Sequence, residues 1–308
     1  MAKGSLTDQI VHDNTVQFAF QVAWAAITTI LFLLILFQLI RTQKSTSIPR
    51  RPYYLLALVA FLFVVSNVLG AVPLRTKVLI DTYLKMLLSS SMFADFVRTF
   101  TPGIILWLVH IRGAALYEAR QGGGRGEGLP FVSQMWKRGI DWALVSITFI
   151  LLIALHGYSL DKNLAFVRSR GHPGSGDRYL EEVKVMNRLL HGTAALILLL
   201  AINVIASLFA LLAAQKRAAF KDPVINYLLI LAAPFVFISA FSWLFFDIWS
   251  RTHPGYNGAS NLAFSFIDGL SQVSIIAGVT YTVRIYAFVH PAASSSRLNQ
   301  PSSGPERA

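Results

Sequence analysis

Asp95 and Arg98 stand three residues apart in the stretch MFADFVRTF, inside a segment otherwise apolar enough for lipid. Positions i and i+3 share a helix face, so the carboxylate and the guanidinium can partly neutralise each other. A charged side chain near the middle of a bilayer costs roughly 2.5–3.5 kcal/mol on insertion scales, which turns such groups toward protein or water. The same reasoning covers Asn67, His156, His191, Asp247, Asp268 and Gln272, all set in apolar surroundings. With Asp95 and Arg98 they form a candidate ligand-binding set, in which Arg98 is expected to anchor Asp247 or Asp268 besides Asp95. The competing structural reading is that these groups glue helices together or snorkel to the interface.

Other chemistries find less to work with. The chain has no cysteine, which removes disulfides, thiolate nucleophiles and Cys-ligated metals. Imidazole and carboxylate suit zinc, but His156 and His191 belong to no HxxxH or HExxH pair, so neither a metal nor a cofactor is expected. The glycine run in RGAALYEARQGGGRGEGLPF lacks GxGxxG spacing and a following Lys-Ser or Lys-Thr; it reads as a linker between membrane helices. No nucleophile motif is present, and the chain does not read as an enzyme.

The candidate residues need elements to hold them. The 308 residues are 55% hydrophobic and 14% charged, with a mean hydropathy of +0.56. That is membrane composition, arranged as long apolar blocks. A helix rising about 1.5 Å per residue crosses a core of about 30 Å in roughly 20 residues. Gln17 to Ile40, Tyr53 to Leu74, Ser91 to Ile111, Gly139 to Leu160, Leu189 to Gln215, Val224 to Ser250 and Leu262 to Tyr286 all qualify. The expected fold is therefore all-α, a seven-transmembrane helix bundle. Residues 1–290 read as a single integral membrane domain and 291–308, PAASSSRLNQPSSGPERA, as a disordered cytoplasmic tail. The first apolar block is longer than a signal-peptide core and lacks a cleavage site, so it reads as a retained span. After the turn signal GHPGSGD, RYLEEVKVMNRLL has helical spacing that extends the fifth helix. Pro102 and Pro234 should kink the third and sixth spans, and Ser274, Gly278 and Thr282 form a small face for helix packing.

Orientation follows from the cations. Although Lys and Arg number 27 against 15 acids, they sit between apolar blocks, as topology signals rather than a nucleic-acid surface. With the N-terminus outside, fifteen fall on the inner side and eleven on the outer, Arg98 lying within a span. This places the C-terminus inside, with Trp107, Trp136 and Trp142 toward the inner interface and Trp24, Trp243 and Trp249 toward the outer one. Six helices then contribute the candidate polar groups in roughly the outer third. The inner half reads as nearly pure hydrocarbon, with Asn203 its main exception. A water-accessible outer cavity is the expectation. The location is an integral one, in the plasma membrane or an endomembrane.

Seven spans with an outer N-terminus resemble the seven-helix receptor architecture and the fungal seven-helix integral membrane proteins, in topology alone. Where rhodopsin-like receptors carry an acidic-Arg-aromatic triplet the chain has His110, Ile111 and Arg112, and its seventh span ends in YTVRIY without an Asn-Pro pair. That span contains no lysine for a retinal Schiff base, and the serine-histidine motif of seven-helix zinc hydrolases is missing. The resemblance implies a receptor-like sensor of a small ligand held in the outer cavity, with a cytosolic signalling partner at the inner loops. The alternative is a small-solute transporter or exporter. Lipid is the surrounding partner in either case, and no nucleic acid is expected.

Overall fold

A computed structural model describes residues 6–42, 50–76, 79–121, 130–168, 175–217, 222–252 and 258–289. The glycine run at 122–124, the start of GHPGSGD and the tail over 291–308 lie outside these residues. Among the described residues every regular element is helical: α1 Leu6–Arg41, α2 Arg51–Arg75, α3 Ile80–Gln121, a 3₁₀ turn Phe131–Ser133, α4 Met135–Arg168, α5 Ser175–Arg217, α6 Pro223–Tyr227, a π turn Leu228–Ala232, α7 Ala233–Thr252 and α8 Gly258–Val289. The sixth span is α6, the π turn and α7 in continuous sequence, and α8 is the seventh. Seven helices are long and apolar enough to cross a membrane, as the composition predicts. Several run well past the apolar blocks. The fifth begins at Ser175, so the RYLEEVKVMNRLL segment does extend it.

Local chemistry sets the ends. Pro52 occupies the first turn of α2, where its missing N–H costs nothing. Asp222 caps α6 by accepting from the Val224 N–H at 2.9 Å, with Pro223 behind it. Joined by short connections, consecutive spans alternate in direction. The end where α1 begins is the N-terminal face, and the other is the C-terminal face.

The spans close a ring in the order α1, α2, α3, α4, α5, α7, α8 and back to α1, while α3 also reaches α5, α7 and α8. α3 is therefore the inner helix. Of its most apolar stretch 67% is buried, against 22% for α1. Val97, Ile104, Ile105, Leu108 and Val109 of α3 share one core with Leu200, Val204 and Leu208 of α5 and with Ile276 and Val279 of α8. Outward, Ile30, Phe37, Ile150 and Ile230 are exposed, an arrangement suited to lipid as the surrounding solvent.

The sixth span is where regularity breaks. Pro234 has no N–H, so a plain α-helix would leave a carbonyl one turn earlier without its donor. Instead the Ala233 N–H reaches back five residues to the Leu228 carbonyl, closing the π turn. Gly278 of α8 lies directly against this turn: a Cβ there would stand 3.2 Å from the Leu231 carbonyl oxygen. One turn further, Thr282 meets the Tyr53 hydroxyl at 3.5 Å. The small face of the seventh span thus packs against neighbouring helices. Pro102 sits inside α3 without interrupting it.

Candidate functional site

Arg98 is the centre of the site. Its Nε and Nη2 donate to Asp268 of α8 at 3.0 and 2.6 Å, and Nη1 donates to Asp95 one turn away. The second oxygen of Asp95 meets His156 Nε2 of α4 at 2.9 Å. Asp268 also accepts from Ser239 of α7 at 3.3 Å, and Ser239 in turn accepts from the Gln272 amide at 2.8 Å. Trp243 and Phe264 place their rings 5.6 and 5.9 Å from the guanidinium, a supplementary cation–π contact. Four helices thus meet at one cation. Arg98 is 7% exposed and Asp268 8%, so neither reaches for an interface. Asp268 also lies ten residues into α8, about 15 Å from its start.

Two spaces adjoin the network. The smaller, about 10 Å³ between Arg98, Pro102, Ser239 and Gln272, has room for about one water. The larger is a chamber of about 330 Å³ among α1, α2, α3 and α8, with Asp268, Asn67, Gln21, Trp24, Ser91 and Asn261 in its wall. Ser66 and Ser90 staple α2 to α3 beside it, each hydroxyl donating to the other's carbonyl at 2.7 and 2.8 Å. Two glycines let polar side chains lie this close to backbone. A Cβ on Gly269 would stand 2.3 Å from Trp24 Nε1, and one on Gly70 would stand 2.7 Å from Gln21 Nε2.

The chain matches no known protein family, no curated protein and no solved structure. What the site can do must therefore be argued from its residues.

Of the eight residues singled out by sequence, five meet in the Arg98 network: Asp95, Arg98, His156, Asp268 and Gln272. Asn67 lies across the chamber, its amide donating to the Phe63 carbonyl at 2.8 Å. Between the two acids considered for Arg98, Asp268 takes the place. Asp247 instead faces His191, Oδ2 to Nδ1 at 2.5 Å, joining α7 to α5. Sequence reasoning missed Ser239, Gln21 and the inward role of Trp24. A signal did exist for α1: Gln17, Gln21 and Trp24 are spaced four and three apart, a polar stripe on one helix face.

The expectation of a nearly pure hydrocarbon inner half is overturned. Toward the C-terminal face, Lys137 of α4 pairs with Asp141 one turn on and donates to Asn203 and Ser207 of α5 at 2.9 and 3.2 Å. Asn203 also donates to Asp141 at 2.7 Å. His110 of α3 completes the cluster, with Nδ1 2.5 Å from the Val132 carbonyl and Nε2 3.0 Å from Asp141 Oδ2, within ion-pair distance though off a hydrogen-bonding line. Lys137, Asp141 and His110 are all buried. Beside them Arg112 of α3 pairs with Asp222, the cap of the sixth span. Lys137 precedes the apolar block that begins at Gly139, yet it lies in the first turn of α4 and its side chain is buried. Among the described residues no group of acids and histidines is arranged to hold a metal ion.

Such a constellation suits binding and coupling. The Ser239 hydroxyl and the Lys137 amine each meet a carboxylate that other side chains already hold, Arg98 on Asp268 and Asn203 on Asp141. The Arg98 cluster instead ties α3, α4, α7 and α8 together at the edge of a hollow, so an occupant touching Asp268 would bear on several helices at once.

Proposed function

We propose that the protein is a multi-pass membrane sensor, receptor-like in plan, that takes a small ligand into the chamber beside Asp268 and relays occupancy through the sixth span. In this reading the N-terminal face is outside. The observation that carries it is Ser239: it bonds Asp268 and Gln272 of α8 from a helix whose π turn and proline lie immediately before it. A π turn is a short step from α register, and such elements often sit where helices shift. At its far end the same span is held to α3 by Arg112 and Asp222. A ligand that binds one arrangement of these contacts better than the other shifts the balance between them.

A single reporter tests this. The chain contains no cysteine, so Lys216→Cys can carry an environment-sensitive fluorophore at the C-terminal face. Screening the labelled protein in nanodiscs against small molecules should find a saturable signal that Asp268→Asn and Asn67→Ala abolish, with the unfolding temperature of Asn67→Ala within a few degrees of the parent, since Asp268→Asn also takes a charged partner from Arg98. A signal that survives both variants rejects the chamber as the ligand site.

The second reading, a small-solute transporter, draws on the presence of two buried polar clusters, one toward each face. Saturable uptake into sealed vesicles, lost with Asp268→Asn, would displace the sensor reading.

A further inference from the structure

Toward the N-terminal face the seam between α1 and α2 opens onto the bundle surface in a groove of about 340 Å³. Its floor is low because Ala25 of α1 and Ala71 of α2 carry a single methyl each, and Val22, Val68 and Val72 flank it. Val22 and Val68 are exposed on the outside of the bundle, where acyl chains would surround the protein. The two helices run antiparallel, so depth can be read along each. From Ala25 back to Phe18 on α1, and from Val68 on to Arg75 on α2, the chain climbs roughly 10 Å toward the N-terminal face. The groove therefore starts in hydrocarbon and ends at a rim of Phe18, Arg75 and Thr76.

The rim supplies a charge. Arg75 is exposed, and its guanidinium lies 5.0 Å from the Phe18 ring. No carboxylate pairs with it among the described residues; toward the same end, Asp13 of α1 faces His12 at 3.4 Å and Asp81 of α3 faces Arg168 at 3.9 Å. Thr76 gives its hydroxyl proton to the Val72 carbonyl at 2.7 Å, so of the three rim side chains only Arg75 offers donors to an occupant. An arginine lays its stem on apolar surface and keeps its head at the polar boundary, which is the depth of a lipid head group. A cation at the head of an apolar trough is complementary to an anionic head on an apolar tail. The guanidinium fork takes a carboxylate through two parallel bonds. A neutral head leaves that charge unanswered, and an ammonium meets its like. The volume lies at the low end for ligand sites, which run from about 300 to 1,000 Å³, and suits one chain better than two. Acidic phospholipids are concentrated in the cytoplasmic leaflet. With the N-terminal face outside, as in the sensor reading, the groove opens into the other leaflet, where a free fatty acid is the better-matched anionic lipid.

We propose that the groove between α1 and α2 binds one long-chain fatty acid, its carboxylate on Arg75 and its chain running inward along Val22, Ala25, Val68 and Val72. This site goes beyond the chamber ligand, because it opens to lipid and makes no use of Asp268. The two hollows share only Gln21 and Asn67.

The test is photolabelling of the full-length protein in phosphatidylcholine nanodiscs with a diazirine-bearing oleic acid, read by peptide mapping. Labelling should saturate and fall on residues 18–25 and 68–76. Oleate should compete about tenfold better than oleyl alcohol or oleylamine, and acetate, which has the head without the chain, should not compete. Arg75→Gln should weaken labelling by about the same factor. Ala25→Leu fills the floor, leaves the charge in place, and should weaken labelling as well. Arg75→Glu should exchange the preference, taking label from a diazirine-bearing amine in place of the acid, a reversal that misfolding cannot produce. Label spread evenly over the lipid-facing helices, equal competition by the alcohol or the amine, or an Arg75→Gln protein labelled as well as the parent would each overturn the proposal. Loss of label when phosphatidylserine is added to the nanodiscs would assign the groove to the bilayer's own acidic lipid and also overturn it. The readout is separable from the sensor reading: site-specific labelling with a silent Lys216→Cys reporter keeps the fatty-acid site and removes the sensor, and a reporter response without site-specific labelling does the reverse.

Discussion

Arg98 and Lys137 are each a buried cation facing acidic groups, and each shows how side chains decide what a membrane interior tolerates. Arg98 satisfies its fork with Asp95 and Asp268, while Lys137 spends its donors on Asp141, Asn203 and Ser207. Removing one member of a buried ionic group leaves its partners desolvated and unpaired, at about 3–5 kcal/mol. Arg98→Ala and Lys137→Met are therefore each expected to lose about that much stability. Reversible unfolding in mixed micelles would measure it. The pair Lys137→Met with Asp141→Leu should recover most of its loss, because no buried charge is then left alone on α4. A double variant as unstable as the single one would show that Lys137 acts on something other than Asp141. The two clusters differed in how far they could be read from the chain. Asp95 and Arg98 were legible because their spacing falls within an obviously apolar span. Lys137 and Asp141 are spaced four apart, an equally good pair, but they sit at the edge of the fourth apolar block, where a lysine resembles an ordinary interfacial charge. Asp268 as partner to Arg98 was one of two options: 170 residues separate them, and only the ring order of the helices chooses between Asp268 and Asp247. Trp24 resembled an interfacial tryptophan by its position, and nothing in its own neighbourhood announces that Gly269 makes room for it on another helix.

At the scale of elements, the sixth span differs from its neighbours. Six spans are continuous α-helices, and this one changes hydrogen-bond register at Leu228–Ala232. The change has a local cause in Pro234 and a tertiary support in Gly278, whose bare Cα lets the widened backbone at Leu231 approach α8. A larger side chain at 278 has nowhere to go except into that carbonyl. Gly278→Leu should accordingly destabilise the bundle by about 1–3 kcal/mol, the usual cost of overpacking. It should also loosen the register change, visible as faster hydrogen exchange across residues 228–238. Unchanged exchange and stability would mean that α7 and α8 separate easily, and that the π turn does not depend on their contact. Apolar length made the existence of all seven spans legible, because a bilayer demands it of any sequence. A proline in the sixth span made a kink foreseeable. The π turn itself was not, since α and π register share the same composition and differ only in which carbonyl each N–H reaches.

For the whole molecule, the two faces carry different chemistry, and this bears on how the protein sits in its membrane. The Arg98 cluster and the chamber lie toward the N-terminal face, and the Lys137 cluster and the Arg112–Asp222 pair toward the other. Between them α3 presents Ile104, Ile105 and Leu108, all fully buried, so the two polar regions are separated by packed hydrocarbon rather than by a continuous polar path. That division suits a molecule that reads one side and reports to the other, provided the chamber opens outside. We propose that the N-terminus is outside, because connections on the C-terminal side hold more Lys and Arg than those on the N-terminal side, the bias that the positive-inside tendency associates with the inner face. The absence of cysteine makes this directly testable, because any introduced thiol is the sole target. Ser5→Cys should react with a membrane-impermeant maleimide on intact cells, and Ser303→Cys should react only after permeabilisation. The reverse pattern would put the chamber on the cytosolic side, where an outside ligand could not enter it from water.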